Sequence, residues 1–303
     1  MCGIVGYVGT PGQSKPALGV VIDALRRMEY RGYDSAGIAL LDGSGGMAVE
    51  KKAGKLDNLV ATVESAGLEN YPATTGIGHT RWATHGRPTD INAHPHVDQL
   101  GKIAVVHNGI IENFAPLRAE LEAQGVEFTS ETDTETVTHL LHAEYYGEGP
   151  NAGNFTASVM AVINRLEGAF TLVIAHADHP DMLMACRRST PLVIGVGEHQ
   201  MFLGSDVAAF IEHTREAVEL GQDNVVTITA DGYTITDFEG NPVEGRPFTI
   251  DWDLEAAEKC GYDYFMLKEI AEQPQALADT LRGHFVDGRI VLDERRLSDE
   301  DLR

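Results

Sequence analysis

The chain has 303 residues, 43% hydrophobic and 23% charged, as expected for a soluble globular protein of one large domain or two smaller ones. Its 46 acidic and 23 basic residues give a formal charge of −23, which argues against nucleic acid or an anionic membrane as a partner. Three cysteines without metal-ligand spacing, and no signal peptide or apolar run of about 18 residues, predict a cytoplasmic protein.

Hydrophobic periodicity and turn residues predict the order of helices and strands. In chain order, the predicted elements are a strand at the amino terminus, a helix over 15–29, strands over 38–41 and 47–53, a helix over 55–66, a buried strand over 103–106, helices over 112–124, 132–146 and 156–166, strands over 169–175, 182–187, 192–196 and 201–203, a short helix over 207–213, and a hairpin of 225–229 with 233–236. Strands come in consecutive runs and helices are grouped between them. This order favours an α+β fold with antiparallel sheets and helices on their outer faces.

A change in composition near residue 240 predicts a domain boundary. Gly240, Pro242, Gly245 and Pro247 are typical of a linker. We therefore expect one domain over 1–240, followed by a linker and helical pieces of a further domain over 241–303. The charged carboxyl end has little to bury, which suggests that this further domain is incomplete.

The second residue carries the most distinctive chemistry in the chain. Removal of Met1 would leave Cys2 with both a thiol and a free α-amine. The reference pKa values of these groups are about 8.5 and about 7.7–8.0, so the amine can act as the base that activates the sulfur. The alternative for Cys2 is a buried thiol without a catalytic role, which is the interpretation we favour for Cys186 and Cys260.

Four segments resemble one known family. They are Met1–Gly6, Glu29–Gly37, His79–Gly86 and His107–Asn113. These segments look like the glutaminase domain of the isomerizing glutamine–fructose-6-phosphate aminotransferases, also called glucosamine-6-phosphate synthases. The opening motif is common to class II amidotransferases, whereas Glu29–Gly37 is specific to this family. Residues 261–274 also resemble the segment that joins the glutaminase domain to the sugar-phosphate isomerase (SIS) half.

The resemblance implies an N-terminal-nucleophile (Ntn) hydrolase sandwich, with two antiparallel sheets between helical layers. It assigns 1–240 to the glutaminase domain and 241–303 to a linker and the truncated start of the isomerase region. It implies that Cys2 attacks the side-chain amide of glutamine and forms a γ-glutamyl thioester, without metal or cofactor. Fructose 6-phosphate and a homodimer are expected only for the full-length enzyme, so this fragment alone should make no amino sugar.

Asn108 and Gly109 are the expected oxyanion hole, with the Asn108 side-chain amide and the Gly109 N–H as donors. From the residues alone the alternative is a type I′ hairpin turn, because Asn-Gly after an apolar strand favours that turn. The resemblance favours the oxyanion role, in which each donor typically contributes about 2.7–4 kcal/mol to the transition state.

The remaining site residues follow from the same resemblance. Arg81 is expected to bind the α-carboxylate of glutamine, with Thr84 and His85 adding hydrogen bonds. Asp133 is expected to bind the α-ammonium group; its alternative is a helix start, because Thr132-Asp133-Thr134-Glu135 matches a capping box. Supporting residues complete the set: Arg31, which would order the loop near the nucleophile, and Trp82, which would gate the path of ammonia.

Three other functions remain open at this point. Five histidines, His79, His85, His94, His96 and His107, suggest a metal-dependent amide hydrolase, although no carboxylate has the ligand spacing of a His-Glu-x-x-His motif. The chain could also be a binding module that keeps the fold without catalysis. The third alternative is the glutaminase domain of another class II amidotransferase, against which the Glu29–Gly37 loop argues.

Overall fold

The computed structural model describes residues 2–83, 86–251, 265–281, 285–286 and 289–290. The chain divides into two compact units, Met1–Leu254 and Glu255–Arg303. The strands of the first unit are β1 (Gly3–Gly9), β2 (Ser35–Leu41), β3 (Met47–Ala53), β4 (Thr75–Arg81), β5 (His96–Val97), β6 (Ile103–Ile111), β7 (Gly168–His176), β8 (Met182–Arg188), β9 (Val193–Gly197), β10 (Gln200–Gly204), β11 (Glu216–Glu219), β12 (Asn224–Thr229), β13 (Gly232–Asp237) and β14 (Arg246–Thr249). Its helices are α1 (Ala17–Arg27), α2 (Leu56–Ser65), α3 (Phe114–Ala123), α4 (Thr134–Tyr146) and α5 (Phe155–Ile163).

Two antiparallel sheets form the centre of the first unit. The larger has the strand order β14-β11-β9-β10-β1-β4-β2-β3, and the smaller has the order β13-β12-β8-β7-β6-β5. Their facing sides enclose one apolar core, to which β1 contributes Ile4 and Val8, and β2 contributes Ala39 and Leu41. These residues alternate along their strands with side chains that point to the other face, as the period of a β-strand requires.

Helices cover the outer face of each sheet. Helix α1 packs on β1 and β4 of the larger sheet. Helices α3, α4 and α5 share a second apolar core with the outer face of the smaller sheet, where Phe170 and Leu172 lie. The result is the four-layer α+β sandwich of Ntn hydrolases that we predicted. No helix among the described residues combines the length and the apolarity needed to cross a bilayer.

The main differences from the predicted elements are in β4, in β6 and in the segment after β10. The segment Thr75–Arg81, for which we predicted no strand, is β4 and lies between β1 and β2. Strand β6 continues five residues beyond the predicted end at Val106, pairing with β7 as far as Ile111. The predicted helix over 207–213 is only a 3₁₀ turn, Val207–Ala209.

The second unit contains a helix, α6 (Phe265–Leu281), and a short hairpin of β15 (Phe285–Val286) with β16 (Arg289–Ile290). Pro274 lies inside α6. The predicted boundary after residue 240 falls within the first unit, between β13 and β14. The assignment of 241–303 to a linker and an isomerase segment stays a prediction.

Candidate active site

A cavity of about 500 Å³ opens where β1 begins, β4 ends and β6 passes. Seven of the nine predicted site residues line it: Cys2, Arg31, Arg81, Trp82, Asn108, Gly109 and Asp133. The other two, Thr84 and His85, lie outside the described residues. The fold thus brings together residues that are more than 100 positions apart in the chain.

The Cys2 thiol is held by the backbone of Trp82. The Trp82 N–H donates to Sγ at 3.2 Å, and Sγ lies 3.6 Å from the Trp82 carbonyl oxygen. Burial raises the pKa of the thiol; the Trp82 N–H and the Arg81 charge oppose that rise, and the Asp34 carboxylate adds to it. A thiol with a raised pKa needs a base close by to become a nucleophile.

The Cys2 carbonyl is fixed by two side-chain donors. Asn108 Nδ2 donates to it at 2.9 Å, and Ser205 Oγ lies 3.5 Å away. The same Ser205 oxygen accepts the Ile4 N–H at 3.0 Å. The start of β1 is therefore anchored to β6 and to the residue that follows β10.

Gly109 follows Asn108 within β6 and not in a turn. Its φ is +122°, and a Cβ at this position would overlap the carbonyl oxygen of Ala169 on β7. Only glycine fits both constraints. The type I′ turn considered for Asn108-Gly109 is wrong, because both residues pair with β7, opposite Thr171 and Phe170.

Arg81 ends β4 and is 4% exposed. Its guanidinium donates to the carbonyl oxygens of Arg87 at 3.3 Å and of Gly86 at 3.5 Å. Trp82, which follows, is half exposed, and its ring meets the ring of Tyr33 edge-on at 5.3 Å. A buried guanidinium that lines the cavity can pair with a carboxylate in both of its fork hydrogen bonds.

Asp133 directly precedes α4 and lines the cavity with a carboxylate that is mostly buried. Its Oδ2 accepts the Ile111 N–H at 2.8 Å, and its Oδ1 lies 3.8 Å from His107 Nδ1. The capping box considered for Thr132 and Glu135 is not formed. The helix begins at Thr134, and Asp133 is the residue at the N-cap position, where its side chain makes no capping hydrogen bond. Thr132 Oγ1 contacts His96 instead.

Glu135 has a different role from the one that the capping motif suggests. Its carboxylate accepts the N–H groups of Thr129 and Ser130 at 2.8 and 2.6 Å. Burial disfavours its charge, but the His139 ring, 3.6 Å away, and hydrogen bonds from Ser130 and Thr129 hold its pKa well below the usual range. Glu135 therefore fixes the loop that leads into α4.

Arg31 and Asp34, both in the Glu29–Gly37 loop, attach that loop to the cavity wall. Arg31 forms an ion pair with Asp206 at 3.0 Å. The Asp34 carboxylate accepts the Ala83 N–H, next to the residue that holds Sγ. Gly32 allows close approach, because a Cβ there would lie 2.6 Å from the Arg81 carbonyl carbon.

Sequence reasoning missed two residues that support the site, Asp34 and Ser205, and considered His79 only as a possible metal ligand. Asp34 and His79 lie inside segments that we singled out, but their partners are set only by the pairing of distant strands. Ser205 follows an ordinary apolar strand, so no local pattern marks it.

The rings of the histidines near the cavity pack on one another in tilted and edge-on pairs, and three of them, His94, His96 and His107, contact threonine hydroxyls. His94 packs on His79 with ring centroids 4.4 Å apart, and its Nε2 lies 2.9 Å from Thr134 Oγ1. His96 Nε2 lies 3.0 Å from Thr132 Oγ1. In the described part of the chain, no group of three or more His, Cys, Asp or Glu side chains is arranged to hold a metal ion; His85 is outside that part.

Comparison with known proteins adds to this geometry. Residues 79–212 match a family model described as a glutamine amidotransferase domain. The chain carries a glutamine amidotransferase domain. It is 67% identical over 311 residues to the isomerizing glutamine–fructose-6-phosphate aminotransferase of Mycolicibacterium smegmatis, and this match covers 100% of the chain and 49% of the relative. The corresponding protein of Streptomyces coelicolor is 58% identical over 307 residues, covering 100% of the chain and 48% of the relative.

These matches confirm the resemblance that we identified in the sequence. The chain spans about half the length of the relatives it matches. The amidotransferase domain also has the fold of a solved glutamine phosphoribosylpyrophosphate amidotransferase from B. subtilis, with a TM-score of 0.65. That match covers 80% of this chain and 50% of the solved chain at 24% sequence identity, so it establishes the Ntn sandwich alone.

Proposed function

We propose that this chain hydrolyses glutamine to glutamate and ammonia through a γ-glutamyl thioester on Cys2. One observation carries the proposal: the Cys2 sulfur lies in a cavity that also presents the Asn108 amide, the Arg81 guanidinium and the Asp133 carboxylate. Glutamine offers a matching set of groups, namely an amide carbonyl, an α-carboxylate and an α-ammonium.

Removal of Met1 would give Cys2 a free amine beside its own thiol. The amine accepts the thiol proton, and the sulfur attacks the amide carbon of glutamine. Asn108 Nδ2 and the Gly109 N–H donate to the oxygen on which negative charge develops. When the tetrahedral intermediate collapses, the ammonium returns its proton to the departing nitrogen and ammonia leaves. Water then attacks the thioester and releases glutamate.

Substrate binding is assigned to the opposite charges of the cavity wall. Arg81 binds the α-carboxylate, with Thr84 and His85 as predicted helpers, and Asp133 binds the α-ammonium through its Oδ1. Both charges of the amino acid are then paired inside the cavity. This local pairing is needed because the long-range field of a chain of net charge −23 cannot attract both groups. Arg31 and Trp82 support this arrangement through the loop and backbone contacts described above.

We further propose that this domain supplies ammonia within an enzyme that converts fructose 6-phosphate and glutamine to glucosamine 6-phosphate and glutamate. The support is the identity to relatives of that name over the whole of this chain. A homodimeric full-length enzyme and a cytoplasmic location stay predictions.

The test is glutamine hydrolysis by the purified chain, with loss of Met1 verified by intact mass. We expect one glutamate and one ammonia per glutamine, and no glucosamine 6-phosphate from the 303-residue chain when fructose 6-phosphate is added. The matched control is the same chain with an uncleaved amino-terminal extension, which should be inactive because the amine is then an amide. Full activity of that extended chain would contradict the mechanism.

A further inference from the structure

We propose that His79 is a positioning residue that fixes the orientation of the Asn108 carboxamide, so that its NH₂ group faces the oxyanion. The inference rests on the proposed glutaminase function and adds a residue to it. His79 lies on β4, is completely buried and does not line the cavity. It therefore acts through Asn108 and does not touch the substrate.

The ring nitrogen Nε2 of His79 lies between two oxygens. It is 3.1 Å from the carbonyl oxygen of His107 and 3.0 Å from Oδ1 of Asn108. A backbone carbonyl oxygen can only accept a hydrogen bond. The proton of the imidazole must therefore sit on Nε2.

The other ring nitrogen agrees with this tautomer. His79 Nδ1 is buried and has no hydrogen-bond partner within the described residues. A proton on Nδ1 would be a buried donor without an acceptor. A lone pair on Nδ1 costs less free energy, and the proton on Nε2 then keeps its hydrogen bond. Burial also lowers the pKa of His79 to about 3, so the ring is neutral and carries a single N–H at physiological pH.

An N–H that points at Asn108 selects one of the two amide orientations. The Asn108 oxygen faces His79, and Nδ2 is then directed to the carbonyl oxygen of Cys2, 2.9 Å away. That carbonyl is also an acceptor only, so both ends of the amide specify the same orientation. One Nδ2 hydrogen bonds Cys2, and the second is the donor that we assign to the oxyanion.

Without the His79 N–H, only the Cys2 carbonyl would still favour this orientation. A rotated amide would place an oxygen lone pair where negative charge develops during attack on glutamine, and the donor would be lost. Loss of one oxyanion donor typically lowers kcat by about 10²–10³-fold. The effect should fall on kcat and leave the glutamine KM nearly unchanged, because the ground-state amide needs no such donor.

The test is a double-mutant cycle between His79 and Asn108. We expect His79→Leu to lower kcat at least about tenfold, and Asn108→Ala to lower it about 10²–10³-fold. In the Asn108→Ala background, His79→Leu should lower kcat less than about twofold further, since its effect passes through the missing amide. His79→Gln should keep kcat within about fivefold, because its NH₂ group can donate to both oxygens.

Two further measurements separate positioning from general damage. Alkylation of Cys2 by iodoacetamide forms no oxyanion, so its rate in His79→Leu should equal that of the unchanged chain, while Cys186, which is fully buried, stays unlabelled if the fold is intact. His176→Leu is the matched control: His176 is equally buried, accepts the Asp178 N–H at 3.0 Å and lies outside the cavity lining. It should leave kcat within about twofold of the unchanged chain.

The outcomes are distinguishable. An inactive unchanged chain would overturn the proposed function and this inference with it. An active unchanged chain in which the two kcat losses multiply, or in which Cys2 alkylation falls with kcat, would overturn the inference alone. If His79→Leu exposes Cys186, His79→Gln decides: retained kcat supports positioning, and a kcat as low as that of Asn108→Ala contradicts it.

Discussion

The backbone N–H of Trp82 donates to the Sγ of Cys2 across 3.2 Å, so a strand end holds the sulfur. The contact that orients the thiol comes from the main chain and not from a basic side chain. The next peptide N–H, that of Ala83, is itself bonded to the Asp34 carboxylate. The Cys2 thiol is therefore positioned by the main chain of Trp82, and Asp34 of the Glu29–Gly37 loop holds the next peptide in place.

Replacing the sulfur should abolish hydrolysis. We expect Cys2→Ala to lower glutamine turnover below about 10⁻³ of the original, because the proposed thioester forms on the Cys2 sulfur. The measurement is glutamate release, with Cys186→Ala as the control that keeps activity. A glutamine analogue with an electrophile at the amide position should add one covalent mass on Cys2; labelling at another cysteine would contradict the covalent route.

Neutralising Asp34 should lower the pKa of the nucleophile. The Asp34 carboxylate raises the pKa of the Cys2 thiol, so Asp34→Asn removes a repulsive charge while keeping an oxygen that can accept the Ala83 N–H. The pH at which Cys2 alkylation reaches half its maximal rate should therefore fall, by less than about one pH unit. Asp181→Asn, at a distant turn, is the control. An upward displacement of the titration curve would refute the charge argument.

A side chain at position 109 should disrupt both stability and turnover. Gly109→Ala places a Cβ against the Ala169 carbonyl at a φ of +122°. We expect a loss of about 1–3 kcal/mol in the free energy of unfolding together with at least a tenfold lower kcat. Gly12→Ala is the matched control, since Gly12 has a φ of +75° but open space around its Cβ position. Urea unfolding of both variants gives the comparison, and equal losses would show that packing against β7 does not matter.

Arg81→Lys should raise the glutamine KM more than it lowers kcat. An ammonium keeps the charge but cannot form the two parallel hydrogen bonds of a guanidinium with the α-carboxylate. We expect a KM increase of about tenfold and a kcat change below about threefold. The measurement is steady-state kinetics of Arg81→Lys, with Arg26→Lys on the exposed face of α1 as the control. A fall in kcat at constant KM would assign Arg81 to the chemical step instead.

The buried histidines should make the fold sensitive to mild acid. Burial lowers the pKa of His79 to about 3, whereas in the unfolded chain it lies near the reference value of about 6.5. Between these two values the unfolded chain binds a proton that the folded chain does not, so the free energy of unfolding falls as pH falls. The slope is about 1.4 kcal/mol per pH unit for one such group. Urea unfolding between pH 7 and 5 should give a shallower slope for His79→Gln, and an unchanged slope would contradict the assignment.

Strands that contain a continuous apolar run, such as residues 38–41 of β2 and 103–106 of β6, could be predicted from the sequence, and β4 could not. Thr75–Arg81 has polar residues and glycines in place of a repeating apolar pattern, yet it is buried between β1 and β2. Two of its polar side chains bond partners far away in the chain: His79 Nε2 contacts Asn108, and Thr80 Oγ1 donates to the Met28 carbonyl oxygen. Tertiary context of this kind overrides local strand propensity.

The candidate site was predicted in a similar, partial way. Resemblance to a family placed Cys2, Asn108 and Asp133 together, and the structure brings them to one cavity. Asp34 was not singled out, because its partner Ala83 is 49 residues away and is set by the pairing of β2 with β4. Such contacts depend on sheet order, which no short motif encodes.

The position of β1 has a consequence for the maturation of the chain. Cys2 precedes a strand whose two neighbours, β4 and β10, are made from residues 75–81 and 200–204. While the ribosome has not yet synthesised residue 204, one side of β1 has no partner and the amino terminus is still accessible. Once the sheet closes, the Cys2 carbonyl is tied to Asn108 and Ser205. We therefore expect removal of Met1, which the proposed mechanism requires, to take place on the nascent chain, before the sheet closes around β1.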